Sequence, residues 1–154
     1  MFTLRRNFMA LALLTLVGLS VAHADELRGT TEQAQAMVKK GLAAIKENGA
    51  EQAFAKFSDV SNKEFHDRDL YLFVYDLNGV NLSHGNNSKM QGKNLIDLKV
   101  GDKFIIKDMV AVVSSKGSGW VDYRWPNPVT KALELKSAYV EKHDHYFVGC
   151  GAYK

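Results

Sequence analysis

The stretch from Tyr71 to Asp76 constrains the fold more than any other part of the sequence. It reads Tyr-Leu-Phe-Val-Tyr-Asp, a run of aromatic and aliphatic residues with no charge before Asp76. Side chains alternate between the two faces of a strand, so both faces of this one are apolar and both need to be covered. Asn78-Gly79 follows, a pair that favours the positive φ angles of a tight hairpin turn. The pattern predicts a central strand with a return strand over Val80 to His84.

Two amphipathic helices precede this strand and are expected to cover one face of the sheet. Thr30 and Gln33 have the spacing of a capping box, and Asn48-Gly49 supplies the stop. Between them the apolar residues recur at three- and four-residue steps, at Ala34, Met37, Val38, Leu42 and Ile45. A second short helix is expected from Ala50 to about Phe57.

The second half of the chain predicts further short helices and three more strands. We expect a short helix over Gly92 to Leu98, an amphipathic helix over Phe104 to Lys116, and strands over Trp120 to Trp125, Leu133 to Lys142 and His145 to Tyr153. The prolines of Pro126-Asn127-Pro128 cannot donate ladder hydrogen bonds, so the first of these strands ends there. The fold class is therefore α+β, with a long N-terminal helix packed on a five- to six-stranded antiparallel sheet.

The first 24 residues predict a secretory signal peptide. Arg5 and Arg6 precede a short apolar run, Met9 to Leu19, and the small residues around Ala24 suit cleavage. The run is shorter than the roughly 20 residues of a membrane-spanning helix. We expect cleavage near Ala24, a periplasmic or secreted product, and a single domain over residues 25–154. The paired arginines leave open whether export follows the general or the twin-arginine route.

Composition and motifs exclude several classes of function. The formal net charge of the whole chain is only +3, and two of its arginines belong to the signal peptide, so no nucleic-acid partner is predicted. Cys150 is the one cysteine, which rules out an internal disulfide and is typical of a buried inert thiol. No nucleophile elbow, phosphate-binding loop or Cys-His arrangement occurs, so we expect no enzyme, no catalytic residue and no cofactor. His143 and His145 have the spacing of a metal pair without a third ligand, so a solvated turn is favoured and no metal is predicted.

Six segments, in order and spacing, resemble the single Cache domain family, the extracytoplasmic relatives of PAS sensor domains. They are Tyr71 to Asp76 with Asn78-Gly79, Leu82 to Gly85, Gly92 to Leu95, Gly119 to Pro128, Lys136 to Val140, and Tyr146 to Tyr153. The resemblance implies a PAS-like sheet with a long helix on one face and, on the other, a small-molecule pocket enclosed by loops and short helices. Such domains sit in chemoreceptors and sensor kinases, where small organic acids are common ligands. Because no second membrane helix or signalling domain follows in this sequence, we expect a free-standing periplasmic form.

The alternation of side chains along the strands indicates which of them face the pocket. The aliphatic face of Leu72 and Val74 suits helix packing, so the aromatic face of the same strand is assigned to the pocket. On the later strand, Asp122 and Arg124 mark the opposite, wetter face. The candidate ligand-binding residues are Tyr71, Phe73, Tyr75, His84, Tyr123, Trp125, Lys136 and Tyr139. Plain core packing remains the alternative for each ring.

Lys136 is the predicted cation for an acidic ligand. It interrupts the run from Leu133 to Val140, and a buried ammonium without a partner would be costly, so a bound carboxylate is a natural resolution. In the resemblance it matches a Lys-x-x-Tyr element, to which Tyr139 adds a hydroxyl. His84 can donate to a carboxylate or accept from an amine. A solvated strand lysine and a solvated loop-end histidine remain the alternatives. Gly149 and Gly151 leave one face of the last strand bare, which marks the close approach of a helix or a ligand, and we favour the helix.

The sequence thus predicts a secreted sensor-type module that binds a small polar metabolite, with a carboxylate favoured, and does not convert it. A membrane receptor or sensor kinase is the expected partner, and both a monomer and a homodimer stay open. The alternative hypothesis is a protein–protein interaction module whose cavity is filled by its own side chains.

Overall fold

Helices cover both faces of one antiparallel sheet in the computed structural model, which describes residues 27–154. The elements, in chain order, are α1 (Thr31–Asn48), α2 (Ala50–Ser58), β1 (His66–Asp67), β2 (Leu70–Asp76), β3 (Asn81–His84), β4 (Lys99–Val100), β5 (Lys103–Phe104), α3 (Ile105–Lys116), β6 (Ser118–Pro126), β7 (Leu133–His143) and β8 (Tyr146–Tyr153). A one-turn 3₁₀ helix spans Ser88–Met90. The predicted signal peptide lies outside the described residues.

The main sheet has six strands, and β2 is central in it as predicted. The strand order is β1-β2-β8-β7-β6, and β3 pairs with β2 along the edge that β1 also uses. Every pairing is antiparallel. Strands β4 and β5 form a separate two-stranded sheet. The α+β prediction and the hairpin at Asn78-Gly79 are confirmed.

Helix α1 covers the aliphatic face of the sheet, as its sequence pattern predicts. The capping box is present, since the Thr30 hydroxyl accepts from the Gln33 amide at 3.2 Å and the Gln33 side chain accepts from the Thr30 amide at 3.0 Å. Gly41 lies in the middle of the contact surface, and a Cβ built there would be 2.7 Å from Leu72 Cδ1. A glycine at this position therefore allows the helix to approach β2 closely.

The same covered face buries the thiol of Cys150 completely. Its Sγ lies 3.8 Å from the sulfur of Met37 on α1, and burial raises the pKa of the thiol to about 12. The prediction that this cysteine is buried is confirmed, and a raised thiol pKa is typical of an unreactive cysteine.

The opposite face of the sheet is covered by α3. Ile105, Met109 and Val113 of this helix are buried against the aromatic residues of β2 and against β6. No helix within residues 27–154 is long and apolar enough to cross a membrane.

The prediction of a short helix over Gly92 to Leu98 is wrong. Gly92 has a φ of 78°, in the left-handed region, and Asn94 forms an isolated bridge with Val80. The Asn94 side chain also donates to the Asn78 carbonyl at 3.1 Å. These bonds hold the segment against the β2–β3 hairpin, so its backbone groups are used there instead of in a helix.

The expectation that a helix approaches Gly149 and Gly151 is also wrong. Both glycines lie on the face away from α1, and side chains of the sheet fill the space above them. A Cβ built on Gly149 would be 2.3 Å from Phe73 ring atoms, and one on Gly151 would be 2.6 Å from Cε of Lys136. The bare patch therefore makes room for the Phe73 ring and the stem of Lys136.

The substitution Gly149→Ala is expected to lower the free energy of unfolding by about 1–3 kcal/mol, because the added methyl group overpacks the Phe73 ring. Urea denaturation of the wild type and the variant measures the difference.

The matched control is Phe73→Leu, which removes the ring atoms that the methyl group would meet. In the double variant the cost of Gly149→Ala is expected to shrink by at least about 0.5 kcal/mol. Strictly additive costs would show that the glycine does not accommodate this ring.

Candidate ligand-binding site

The ammonium group of Lys136 is buried among three aromatic rings. Its Nζ lies 4.0 Å from the ring centroid of Tyr71, 4.7 Å from that of Tyr153 and 5.9 Å from that of Phe73. We call these three rings and Lys136 the lysine cage. The side chain is 0% exposed, so the alternative of a solvated strand lysine is excluded.

The lysine cage leaves the hydrogen-bonding capacity of the ammonium unused. Cation–π contact contributes about 2 kcal/mol when the partners are desolvated. However, Nζ carries three N–H donors and has no hydrogen-bond partner among the described residues. A buried charge in this state is unfavourable, and an acceptor placed beside it would relieve it.

A cavity of about 10 Å³ adjoins the lysine cage and shares the rings of Tyr71 and Phe73 with it. Its lining residues are Tyr71, Phe73, Tyr75, His84, Ile105, Met109, Tyr123 and Trp125. A cavity of this size holds about one water molecule. Six of the eight predicted site residues therefore meet around one space, and a seventh, Lys136, lies directly behind two of its walls.

His84 contributes a single, defined hydrogen-bond donor. Its Nδ1 accepts from the backbone N–H groups of Asn87 at 3.0 Å and Asn86 at 3.3 Å, which places the ring proton on Nε2. Burial, and then the charge of Lys136, lower the pKa of His84 to about 3, so the ring is neutral near pH 7. The side chain is 3% exposed, which excludes the solvated loop-end alternative. Of the two roles predicted for His84, donation to a carboxylate fits this tautomer and acceptance from an amine does not.

The hydroxyls of Tyr75, Tyr123 and Tyr153 are neutral, and that of Tyr153 is held by a hydrogen bond. Burial raises the pKa values of Tyr75, Tyr123 and Tyr153. The Tyr153 hydroxyl donates to the Pro126 carbonyl at 2.8 Å and lies 3.4 Å from the Tyr71 hydroxyl.

Sequence reasoning missed Tyr153. It shares a face of β8 with Gly149 and Gly151, and it pairs in register with Lys136 of β7. The alternation along β8 would have placed it in the site, once Lys136 was assigned to the pocket.

The expectation that Tyr139 joins Lys136 is corrected. They are three positions apart along β7, so they lie on opposite faces of the sheet. Tyr139 faces the α1 side, donates to Glu141 at 2.9 Å and packs against Trp120 with ring centroids 5.3 Å apart. Its hydroxyl cannot reach a ligand beside Lys136 in this structure.

A larger groove of about 310 Å³, which we call the outer groove, adjoins the cavity. It is lined by His84, Asn86, Asn87, Met90, Val100, Trp125, Pro126 and Leu133. His84 and Trp125 belong to both spaces and therefore stand between them. Within residues 27–154, no acidic residue lines either space.

Residues 13–154 match the family described as single Cache domain 2. The chain belongs to this family. The resemblance drawn from the sequence is thereby confirmed, and with it the PAS-like sheet. Cache domains are extracytoplasmic sensor domains of chemoreceptors and sensor kinases, and the family is typically non-enzymatic.

Two relatives are a sensor kinase and a chemotaxis protein. The chain is 37% identical to the sensor histidine kinase MctS of Rhizobium johnstonii over 90 residues. This match covers 56% of the chain and 19% of the kinase. The chain is also 26% identical, over 94% of its length, to the methyl-accepting chemotaxis protein McpP of Pseudomonas putida, of which it covers 29%. The chain thus spans less than a third of the length of either relative.

Solved structures share the fold. A methyl-accepting chemotaxis protein from Vibrio parahaemolyticus superposes with a TM-score of 0.68 at 26% identity, covering 79% of this chain and 86% of that one. A Cache chemosensory domain described for its carboxylic acid recognition gives a TM-score of 0.61 at 24% identity, with the same coverage of 79% and 86%.

The substitution His84→Asn is expected to reduce the dependence of the free energy of unfolding on pH below neutrality. An unfolded histidine ionises near pH 6.5, whereas His84 resists protonation down to about pH 3, so in this interval the unfolded chain binds more protons. The free energy of unfolding of the wild type therefore falls as the pH is lowered, by up to about 1.4 kcal/mol per pH unit from this group. Asparagine offers Oδ1 to the same amides but does not titrate. Denaturant titrations between about pH 4.5 and 7 compare the slopes.

The control is His145→Gln, which removes an exposed histidine and should keep the wild-type slope. Equal slopes in the wild type and His84→Asn would mean that His84 is not held neutral by the fold.

Proposed function

We propose that residues 27–154 bind a small carboxylate at the lysine cage and act as a sensing module that leaves the ligand unchanged. The observation that carries the proposal is the ammonium of Lys136, fully buried and without a hydrogen-bond partner in the described chain. A carboxylate would accept hydrogen bonds from the N–H groups of Lys136 and balance the charge of the ammonium. Charge-assisted hydrogen bonds of this kind are among the strongest in proteins.

The charges of the lining favour an acid with one carboxylate and no amine. Lys136 is a cation beside the cavity, and in the described part of the chain neither the cavity nor the outer groove has an acidic lining residue. An amino group would meet no counter-charge, and a second carboxylate would meet no second cation. The Nε2–H of His84 offers a further donor for the acid, and the rings offer apolar contact for its carbon atoms.

The ligand needs more room than the cavity offers in this structure, since about 10 Å³ holds about one water. His84 and Trp125 separate the cavity from the outer groove, so rotation of either side chain would join the two spaces. Trp125 is partly exposed and borders the groove, which makes it the side chain expected to move on binding. For the carboxylate to reach Nζ, the Tyr71 ring would also shift.

The relatives support a role in signalling. Their sensor domains belong to a chemoreceptor and a sensor kinase, so we infer a periplasmic module whose ligand-bound state is read by a membrane receptor or sensor kinase. The similarity to a Cache domain described for carboxylic acid recognition agrees with a carboxylate ligand. The proposal itself rests on Lys136.

Lys136→Met tests the proposal because it separates binding from stability. Methionine has a similar length and no charge, so the unliganded variant is expected to be as stable as the wild type or more stable, since a buried unpaired charge is removed. The wild type should gain about 2.7 kcal/mol from an acid at 100 times its dissociation constant, and the variant should gain nothing. Thermal unfolding is followed with acetate, propionate and butyrate, and with the corresponding amides and amines.

Lys142→Met is the matched control, an exposed lysine of the same strand whose removal should leave the response to the acids intact. A wild type that responds to none of the acids would favour the alternative of an interaction module with a filled cavity. An equal response in Lys136→Met would place the acid elsewhere.

A further inference from the structure

The cavity beside the lysine cage and the outer groove share two walls, His84 and Trp125. On the side of α3 the cavity is closed, since Ile105 and Met109 are each 1% exposed. Tyr75 closes it along β2 with 2% of its surface exposed. Trp125, in contrast, is partly exposed. The carbon chain of a ligand held at Lys136 would therefore leave the cavity beside the Trp125 ring.

The outer groove is apolar and open to solvent. Leu133 is 53% exposed, and Val100 and Trp125 are partly exposed, so apolar side chains of the groove are in contact with water. In the described chain its polar lining residues are two asparagines and His84, which carry no charge near pH 7. An exposed apolar surface of this kind is typical of a ligand-binding groove. The lining suits a hydrocarbon chain better than a second charged group.

A second groove meets the cavity at Tyr123 and differs from the outer groove in its charges. It has a volume of about 270 Å³ and is lined by Val100, Gly101, Asp102, Lys103, Asp122, Tyr123, Arg124 and Leu135. We call it the charged groove, because two carboxylates and two cations line it. A hydrocarbon chain would displace water from these charged groups, which is unfavourable. Of the two grooves, the outer groove is therefore the better place for an apolar tail.

The outer groove lies within reach of an acid whose carboxylate contacts Lys136. Nζ lies 4.0 Å from the ring centroid of Tyr71, which lies 5.2 Å from that of His84. The distance from Nζ to the His84 ring is therefore at most about 9 Å. A hydrogen bond to the carboxylate takes up about 3 Å of it. Since a C–C bond is about 1.5 Å long, straight-chain acids from hexanoate upward are long enough to place carbon atoms beyond His84.

We propose that the outer groove is the second half of the ligand site and takes the hydrocarbon tail of a straight-chain monocarboxylic acid of about six carbon atoms or more. The head group binds Lys136, the chain passes between His84 and Trp125, and the end of the tail contacts Leu133. This inference rests on the proposed function, because Lys136 holds the carboxylate in both. It adds the length of the ligand and the residue that selects for it.

Calorimetric titration with the sodium salts of acetic, butyric, hexanoic and octanoic acids tests the chain length. A fully buried CH₂ group raises affinity about fourfold. Because the outer groove is open on one side, we expect roughly a two- to fourfold gain for each CH₂ added beyond hexanoate. Octanamide has a tail of the same length and no charge, so it should bind at least about tenfold more weakly than octanoate.

The variants Leu133→Asn and Leu135→Asn distinguish the two grooves. Both leucines are exposed residues of β7, by 53% and 40%, but Leu133 lines the outer groove and Leu135 lines the charged groove. In Leu133→Asn the ratio of the octanoate affinity to the acetate affinity should fall roughly three- to tenfold, because a polar amide replaces apolar contact surface. In Leu135→Asn the ratio should equal that of the wild type.

NMR locates the end of the tail directly. In wild-type protein with ¹³C-labelled methyl groups, the terminal methyl protons of octanoate should give intermolecular NOEs to the methyl groups of Leu133 and Met90, which line the outer groove. NOEs to Leu135 in their place would put the tail in the charged groove and overturn the inference.

The outcomes separate this inference from the proposed function. If neither short nor long acids bind, both are wrong. If acetate and butyrate bind but octanoate gains nothing, or if Leu135→Asn lowers the ratio and Leu133→Asn does not, the role of the outer groove is wrong and the proposed function stands. If octanoate binds Lys136→Met as tightly as the wild type, its head group does not lie at the lysine cage, which also overturns the inference.

Discussion

The buried ammonium of Lys136 determines how the whole pocket side of the sheet is built. Its stem occupies the space above Gly151, and its charge lies against the rings of Tyr71 and Tyr153. Tyr153 is held in turn by the Pro126 carbonyl at the end of β6. Burial, and after it the charge of Lys136, lowers the pKa of His84 and keeps its ring neutral. One desolvated charge thus accounts for the position of a glycine and two rings and adds to the neutral state of a histidine, at a cost that an anion would offset.

The strand β2, which is apolar on both faces, made most of the pocket-lining rings predictable from the sequence. Its alternation assigned Tyr71, Phe73 and Tyr75 to one face, and the same rule assigned Tyr123 and Trp125 to one face of β6. All five line the cavity. The error at Tyr139 came from transferring a Lys-x-x-Tyr element from the family without applying that rule, because residues three apart on a strand cannot share a face. Tyr153 was recoverable by the same argument.

Other features depend on contacts that no pattern contains. Whether Gly149 and Gly151 face a helix or the pocket depends on the register of β8 against β2 and β7, which sets Phe73 and Lys136 above them. The proton position on His84 depends on two loop amides. Asn94 binds back to the hairpin, and this tertiary bond replaced the helix expected over Gly92 to Leu98. The size of the cavity is a matter of ångström-scale packing.

The two faces of β8 contact different parts of the structure, α1 on one side and the lysine cage on the other. Cys150 points toward α1, while its neighbours Gly149 and Gly151 point toward the lysine cage. A thiol with a pKa of about 12 and no exposed surface does not react with alkylating reagents until α1 lifts from the sheet. The rate at which Cys150 is alkylated is therefore expected to measure how often α1 separates from the sheet. Rearrangements confined to the ligand side of the sheet should leave this rate unchanged.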